Sequence, residues 1–406
     1  MAIDVQKIRS DFPELNRKVY GKPLIYFDNG ATTLKPAVVI DRVNDYYARG
    51  NANVHRGVHF ISQEATTAME NAREYVRDFL GAATEREIIF TKGTTESINL
   101  AAFSFGERFV SSGDNIIVSE MEHHANIVPW QMLCERKNAK LKVIPVNDSG
   151  ELDLDAFESL IDDRTRIVAV THISNALGTI NPVKEITDIA HERNIPVLID
   201  GAQGIAHGRV NVKETGCDFY VFSGHKIFAP MGIGILYGKE EMLDKMPPWQ
   251  TGGEMIDKVS FEKTTFNKLP FKFEAGTPDV GGILGLETAL RYFDKTGIDN
   301  IVAYEKELTD YALEKLSSFP RVRLIGNAKY RVSVISFVIE GIHHYDAGTI
   351  LDKLGVAVRT GHHCAQPVMK RFGVEGTIRI SLSVYNTKEE IDIFAEALQR
   401  VIKMFG

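Results

Sequence analysis

Lys226 closes the stretch Ser223-Gly-His-Lys226, which follows the apolar run Asp218-Phe-Tyr-Val-Phe222. A run this apolar reads as a strand buried on both faces, so it delivers an amine to a place where water is scarce. Burial lowers a lysine pKa, and a neutral amine forms a Schiff base with an aldehyde. Taken alone, such a lysine reads as an ordinary surface residue after a strand. Upstream, Val197-Leu-Ile-Asp200 is a second buried strand, ending on a carboxylate and followed by Gly-Ala-Gln203. Lysine for an aldehyde and aspartate for a pyridinium nitrogen together suit pyridoxal phosphate.

Other strand ends carry residues of the same character. Lys92-Gly-Thr-Thr-Glu96 is a glycine turn opening a helix, where backbone N–H groups and the hydroxyls of Thr94 and Thr95 suit a phosphate. His123, in Glu122-His-His-Ala-Asn126, suits stacking on a flat ring and relaying protons. Asn175 suits a hydrogen bond to cofactor or substrate, and Gln203 one to a phenolic oxygen. Ser223 and His225 complete a phosphate cup around Lys226. Each residue alone also fits a helix cap or a turn. Five strand ends agree, and that agreement carries the reading.

A second focus is Val358-Arg-Thr-Gly-His-His-Cys364-Ala. Cationic neighbours, here Arg359, His362 and His363, favour the thiolate, the nucleophilic form of cysteine. Cys134 and Cys217 lie in helix-like and strand-like contexts and read as packing residues. The pairs His123-His124 and His343-His344 raise the question of zinc, but paired-cysteine ligand spacing is absent and no metal site is expected. Arg379 lies in the apolar strand pattern Thr377-Ile-Arg-Ile-Ser-Leu382. A guanidinium there needs an anion, either a substrate carboxylate held bidentately or an internal Asp or Glu.

These residues need a scaffold that gathers strand ends. Strand-like and helix-like stretches alternate from Leu24-Ile-Tyr-Phe27 through Gly232-Ile-Gly-Ile-Leu-Tyr237. That alternation predicts an α/β fold with a mostly parallel sheet and helices on both faces, with ligands at the carboxyl ends of the strands. The pattern breaks near Pro247-Pro248-Trp249. A long helical region is expected over 281–316, then shorter elements: 332–339, a helix over 347–354, 377–382, and a closing helix from Lys388. The division expected is an N-terminal segment, 1–20, packing with a small domain; a large cofactor-binding domain, 21–280; and a small α+β C-terminal domain, 281–406.

Bulk composition adds limits. Of 406 residues, 44% are hydrophobic and 25% charged, an ordinary globular balance. A net charge of −7 with no basic block argues against nucleic acid or an anionic membrane as partner. No apolar stretch reaches membrane-spanning length, and the first residues lack a signal peptide's apolar core. Three widely spaced cysteines argue against a disulfide framework and for a reducing cytoplasm.

Taken together, Tyr26-Phe-Asp-Asn-Gly-Ala, Asn53-Val-His-Arg-Gly57, Gly93-Thr-Thr-Glu96, Met121-Glu-His-His-Ala-Asn126, Asp200-Gly-Ala-Gln203, Ser223-Gly-His-Lys226, Phe273-Glu-Ala-Gly-Thr277 and Arg359-Thr-Gly-His-His-Cys364-Ala resemble the cysteine desulfurases. These are fold type I pyridoxal-phosphate enzymes of the class-V aminotransferase family. The compact His-His-Cys loop resembles the SUF-system group, also known as selenocysteine lyases. The resemblance implies a large domain with a seven-stranded, mostly parallel sheet. It implies that Lys226 holds the cofactor, Asp200 its ring nitrogen, His123 its face and Gln203 its phenolic oxygen. Thr95, Ser223 and His225, with Thr277 of the other subunit of a homodimer, would bind the phosphate. His55 and Arg56 would approach the partner's site, and Arg379, with Arg359 and Asn175, would hold the substrate carboxylate. Cys364 would attack the sulfur of L-cysteine, leaving a persulfide on the enzyme and releasing alanine, and L-selenocysteine would also be cleaved. A SufE-like or SufU-like acceptor would then carry the sulfur toward iron–sulfur cluster assembly.

Two rivals bound this expectation. An aminotransferase or β-lyase on the same fold would use Lys226 but not Cys364. A non-catalytic sulfur carrier or scaffold would need neither Lys226 nor Asp200 nor the phosphate cup.

Overall fold

The computed structural model describes residues 3–406. Seven segments form its central sheet: β1 (Ile88–Thr91), β2 (Asn115–Ser119), β3 (Lys140–Ile144), β4 (Thr165–Thr171), β5 (Val197–Asp200), β6 (Phe219–Ser223) and β7 (Gly234–Gly238). Their order across the sheet is β1-β7-β6-β5-β4-β2-β3. Strands β2 to β6 run parallel, whereas β7 runs antiparallel to both β1 and β6. The link from β6 to β7 explains the reversal: it has no room for the helix a parallel crossover needs.

Side chains along these strands alternate between two cores, as a pleated strand requires. Ile116, Val118, Ile167, Ala169, Leu198, Phe219, Val221 and Leu236 face one way, onto Ile98, Ala101 and Phe105 of helix Thr94–Phe109 and Trp130 and Leu133 of helix Val128–Lys137. Ile117, Val168, Val170, Ile199, Tyr220, Phe222 and Ile235 face the other way, onto helices Phe60–Leu80, Val183–His191 and Val280–Thr296. Burial on both faces is why the sequence shows unbroken apolar runs here.

A second sheet is fully antiparallel. Its strands are β8 (Val322–Ile325), β9 (Val334–Ile339), β10 (Arg359–Gly361) and β11 (Thr377–Ser381), in the order β8-β9-β11-β10. It has its own core, in which Ile335, Phe337, Ile378 and Ile380 meet Leu308, Ala312, Phe394 and Leu398. Ile25 and Phe27 join that core, where Ile25 pairs in parallel with Val356. Near the N-terminus, Arg9 ion-pairs with Glu390 at 2.9 Å and Phe12 packs on both Tyr385 and Phe228.

The structure revises several element expectations. The helical region expected over 281–316 is two helices, Val280–Thr296 and Ile298–Ser317, broken at Gly297 where φ is +93°. Beyond the irregular stretch around Trp249 stands an exposed hairpin, Ile256–Val259 with Thr264–Phe266, whose short polar strands carry no alternation to read. Strands β8 and β10, of four and three residues, are likewise too short to carry a readable period. Among the described residues no helix is long and apolar enough to cross a membrane, and no group of three or more His, Cys, Asp or Glu side chains could hold a metal ion.

Candidate active site

The carboxyl ends of the parallel strands open into one cavity. Twelve residues singled out from the sequence line it: Thr94, Thr95, His123, Asn175, Asp200, Gln203, Ser223, His225, Lys226, Arg359, Cys364 and Arg379. Strand register explains the convergence: Thr171 pairs with Asp200 and Asp200 with Val221, two residues before Ser223, so β4, β5 and β6 end at about one level. Three others stand outside this cavity. Thr277 lines a neighbouring one with Trp249 and Phe273. His55 bonds Glu70 at 3.0 Å, and Arg56 lies 3.3 Å from Glu254.

Lys226 sits in the short turn that ends β6 and is half-buried, its side chain lining the cavity. Burial pushes its amine down to about 8, and the nearby Asp200 partly opposes that shift. Asp200 is itself buried; one carboxylate oxygen accepts from Ala202 N–H at 2.9 Å, and burial pushes its pKa up. Lys226 is near enough to lower it but forms no direct ion pair with it, and a protonated ring nitrogen would supply one.

The phosphate end has a comparable fit. Gly93, at φ +145°, precedes helix Thr94–Phe109, and a Cβ at this glycine would stand 3.0 Å from Ser223 Oγ. Ser223 Oγ accepts from Thr94 N–H at 2.8 Å and lies 2.9 Å from Thr94 Oγ1. Hydroxyls, a helix N-terminus and a cradle free of side chain make an anion site. His225 Nδ1 is buried without a partner, and burial with the charge of Lys226 pushes the ring down to about 4. The donors present, the orphaned His225 nitrogen and the Lys226–Asp200 pair all fit pyridoxal phosphate.

His123 both caps and lines the cavity. Its Nδ1 accepts from Ala125 N–H at 3.0 Å, which leaves the ring proton on Nε2. Burial, then Lys226, pushes its pKa down to about 3, so the ring is neutral. Gln203 donates one amide hydrogen to the Gly30 carbonyl at 2.8 Å, and Asn175 donates to the His363 carbonyl at 2.7 Å.

Arg379 is fully buried in β11, directly opposite Arg359 in β10. Of the two alternatives left open for it, the internal carboxylate is present. Its Nη2 donates to Asp28 Oδ1 at 2.9 Å, an internal carboxylate, while Nε is buried without a partner. Two facing guanidiniums with a single acid between them leave positive charge for a further anion.

Cys364 ends a left-handed stretch. His363 and Cys364 have φ of +52° and +56°, a region costly for residues other than glycine. Three bonds hold this shape: His124 N–H to the Cys364 carbonyl at 2.8 Å, Cys364 N–H to His362 Nδ1 at 3.1 Å, and Gln366 N–H to His124 Nε2 at 3.2 Å. Cys364 is partly exposed, whereas burial pushes the Cys134 thiol up to about 11 and that of Cys217 up to about 12. One expectation fails. His363 is no cationic neighbour of the thiol, because burial, then Arg379 and Arg359, push its ring down to about 2.

Sequence reading missed three supporting residues. Asp28 is one. Glu122 is another: fully buried, it accepts from Thr171 N–H at 2.9 Å and Asn126 Nδ2 at 2.6 Å, and burial pushes it up to about 8. It ties the ends of β2 and β4 beneath His123. Lys35 is the third, donating at 2.9 Å to the His225 carbonyl, which also accepts from Thr33 N–H and the hydroxyls of Thr32 and Thr33. Glu122, a carboxylate after an apolar strand, and Asp28 both fall inside motifs of the family resemblance, though with no role assigned; Lys35 had no signal.

The family model for class-V aminotransferases matches residues 25–394. A cysteine desulfurase of Klebsiella pneumoniae is 51% identical over the whole of both chains. One of Synechococcus elongatus is 50% identical over 99% of this chain, which spans 64% of that protein's length. Among solved structures, a cysteine desulfurase from Thermococcus onnurineus matches with TM-score 0.94 and 41% identity over 100% of this chain and 99% of its own. The Escherichia coli cysteine desulfurase CsdA, solved as an S-sulfonic acid, matches with TM-score 0.93 and 37% identity over the whole of both chains.

Proposed function

From the premise that this chain belongs to the class-V aminotransferase family of pyridoxal-phosphate enzymes, we propose that Cys364 is the residue on which its cysteine desulfurase activity turns. The observation that carries the reading is the accessible Cys364, held on a strained loop at the cavity that also contains Lys226 and Asp200. Bound pyridoxal phosphate supplies an electron sink for chemistry at the substrate's α-carbon. Lys226 would hold it covalently, Asp200 would keep its ring nitrogen protonated, and Thr94, Thr95, Ser223 and His225 would bind its phosphate. Asn175 and Gln203 would hydrogen-bond the cofactor, and His123 would offer a ring face with a proton at Nε2.

Arg379, with Arg359 and Asn175, would orient L-cysteine by its carboxylate. The Lys226 amine, near neutrality, can take and return a proton at Nζ. The Cys364 thiolate attacks the substrate sulfur. The new S–S bond forms as the carbon–sulfur bond breaks, its electron pair stays with the carbon fragment, and protonation gives L-alanine. The enzyme keeps a persulfide, and no outside oxidant or reductant is needed for that half.

The finer reading is a SUF-system role. The persulfide would pass to a SufE-like or SufU-like acceptor for iron–sulfur cluster assembly in the cytoplasm, and L-selenocysteine would also be cleaved. In a homodimer, Thr277, His55 and Arg56 would complete the partner's site, and residues 21–280 and 281–406 would act as cofactor and nucleophile domains.

The test is alanine release from L-cysteine with a reductant, for the intact protein and for Cys364→Ser, repeated with L-selenocysteine. Release from cysteine that vanishes in the variant supports the persulfide route. Release that persists removes Cys364 as nucleophile and favours a β-lyase. A protein that cannot be loaded with cofactor favours the scaffold.

A further inference from the structure

Residues 175–180, which follow β4, meet residues 330–336 of the antiparallel sheet along a continuous backbone seam. Four consecutive carbonyls accept from the second sheet's side. Asn175 accepts from Arg379 Nη1 at 2.9 Å, Ala176 from Ser336 Oγ at 2.6 Å, Leu177 from Arg331 Nη2 at 3.4 Å and Gly178 from Val332 N–H at 2.9 Å. Thr179 then pairs with Arg331, and Ile180 N–H donates to the Tyr330 carbonyl at 3.0 Å. The side chain of Asn175 closes the line onto the His363 carbonyl, next to Cys364.

The nearest approach is at Gly178. Its φ is +74°, and a Cβ there would lie 2.4 Å from the Val334 carbonyl oxygen and 3.2 Å from that of Val332. Those are backbone atoms, that of Val334 within β9, so they cannot swing aside as a flexible side chain would. Both the left-handed conformation and the close approach require glycine. Interfaces between structural units of one chain are ordinarily polar and able to slide. This one is pinned residue by residue, and Ser336 lies buried within it.

We propose that this seam sets the offset between the cofactor cup and the carboxylate pocket, and that Gly178 and Ser336 are positioning residues that determine specificity for amino-acid substrates. The cup hangs on β5, β6 and the start of helix Thr94–Phe109. Arg379 hangs on β11, and the seam is where its Nη1 meets the loop after β4. A shift along the seam displaces the carboxylate pocket and leaves Lys226, Asp200 and the phosphate donors Thr94, Thr95, Ser223 and His225, none of which belongs to the seam, in place. The inference rests on the assignment of Arg379 to the substrate carboxylate.

The experiment uses the loaded enzyme and two aminooxy reagents that capture the bound aldehyde as an oxime. Aminooxyacetate carries a carboxylate and O-methylhydroxylamine does not. Gly178→Ala should raise the KM for L-cysteine and slow capture by aminooxyacetate about tenfold, with kcat within about threefold, as loss of uniform binding predicts. Capture by O-methylhydroxylamine and retention of cofactor should match the parent. Ser336→Ala, which strands the Ala176 carbonyl, should move the same readouts about fivefold, and Ser336→Thr should restore them. Equal slowing with both reagents, or an unchanged KM in the seam variants, overturns the proposal. If Gly178→Ala does not fold, the two Ser336 variants decide. Arg379→Met separates the premises. Unchanged aminooxyacetate capture there removes the carboxylate assignment itself, whereas a loss there with normal seam variants removes only the seam.

Discussion

The cofactor cup and the Cys364 loop face each other across one cavity and are built by opposite means. The cup is a set of strand ends. Asp200, Ser223 and Lys226 arrive there because β5 and β6 are regular, buried and in register. Nothing in it depends on unusual backbone except the cradle at Gly93. The loop is the reverse: two left-handed residues, a partly exposed thiol, and three bonds that involve His124 or His362. A cup that keeps one cofactor through many turnovers gains from rigidity and from exclusion of water. A thiol that takes sulfur inside and gives it up outside must reach solvent. Backbone strain and exposure are what that second task costs.

The widest separation of the two regions comes from Lys226→Ala. Alanine formation should fall by about 10⁴-fold or more, and borohydride should no longer fix cofactor to the chain. Alkylation of Cys364 by iodoacetamide should proceed at the parent rate; a matching loss there would mean the regions are one unit. Burial of the Lys226 amine adds a pH signature. Its folded pKa, about 8, lies below the ordinary lysine value, so the neutral and reactive form dominates above that pH. The rate at which apoprotein captures pyridoxal phosphate should therefore rise as pH passes through about 8 and level off beyond, in stopped-flow absorbance.

Asp200→Asn keeps the shape of the cup and removes its charge. Turnover should drop about 10²-fold, with an altered cofactor spectrum and unaltered thiol reactivity. On the loop side, His124→Ala deletes the acceptor for Gln366 N–H. One such bond is worth about 1 kcal/mol, so sulfur transfer should slow about fivefold while the cofactor spectrum stays fixed. The smallest effect belongs to Glu122→Gln. Burial holds this carboxyl near 8, largely protonated at neutral pH, so an amide that keeps the Thr171 N–H bond and gives up only the one from Asn126 Nδ2 should leave turnover within about threefold. A large loss would show that Glu122 acts as a charge.

The same contrast governs what could be read from the chain. The cup was legible because period and polarity place it: an apolar run must be a buried strand, and the first polar residue after it must be at the strand's end. Arg379 was legible as a buried cation in need of an anion, but its internal partner was not, since Asp28 lies far away in sequence. Lys35, which anchors the His225 carbonyl from an N-terminal loop, has the same long-range character. The loop was legible in composition and misread in electrostatics. Proximity in sequence suggested that His363 lends positive charge to Cys364, whereas the side chain turns inward to Thr377 and stays neutral. The left-handed turn at 363–364 leaves no trace in residue type, because neither residue is glycine.

The most direct measurement is the mass of the protein after one equivalent of L-cysteine without reductant, followed by peptide mapping. The account predicts one added sulfur atom on the peptide that contains Cys364, matched mole for mole by L-alanine. Alanine formed with that peptide unmodified, or with the sulfur on Cys134 or Cys217, would contradict it.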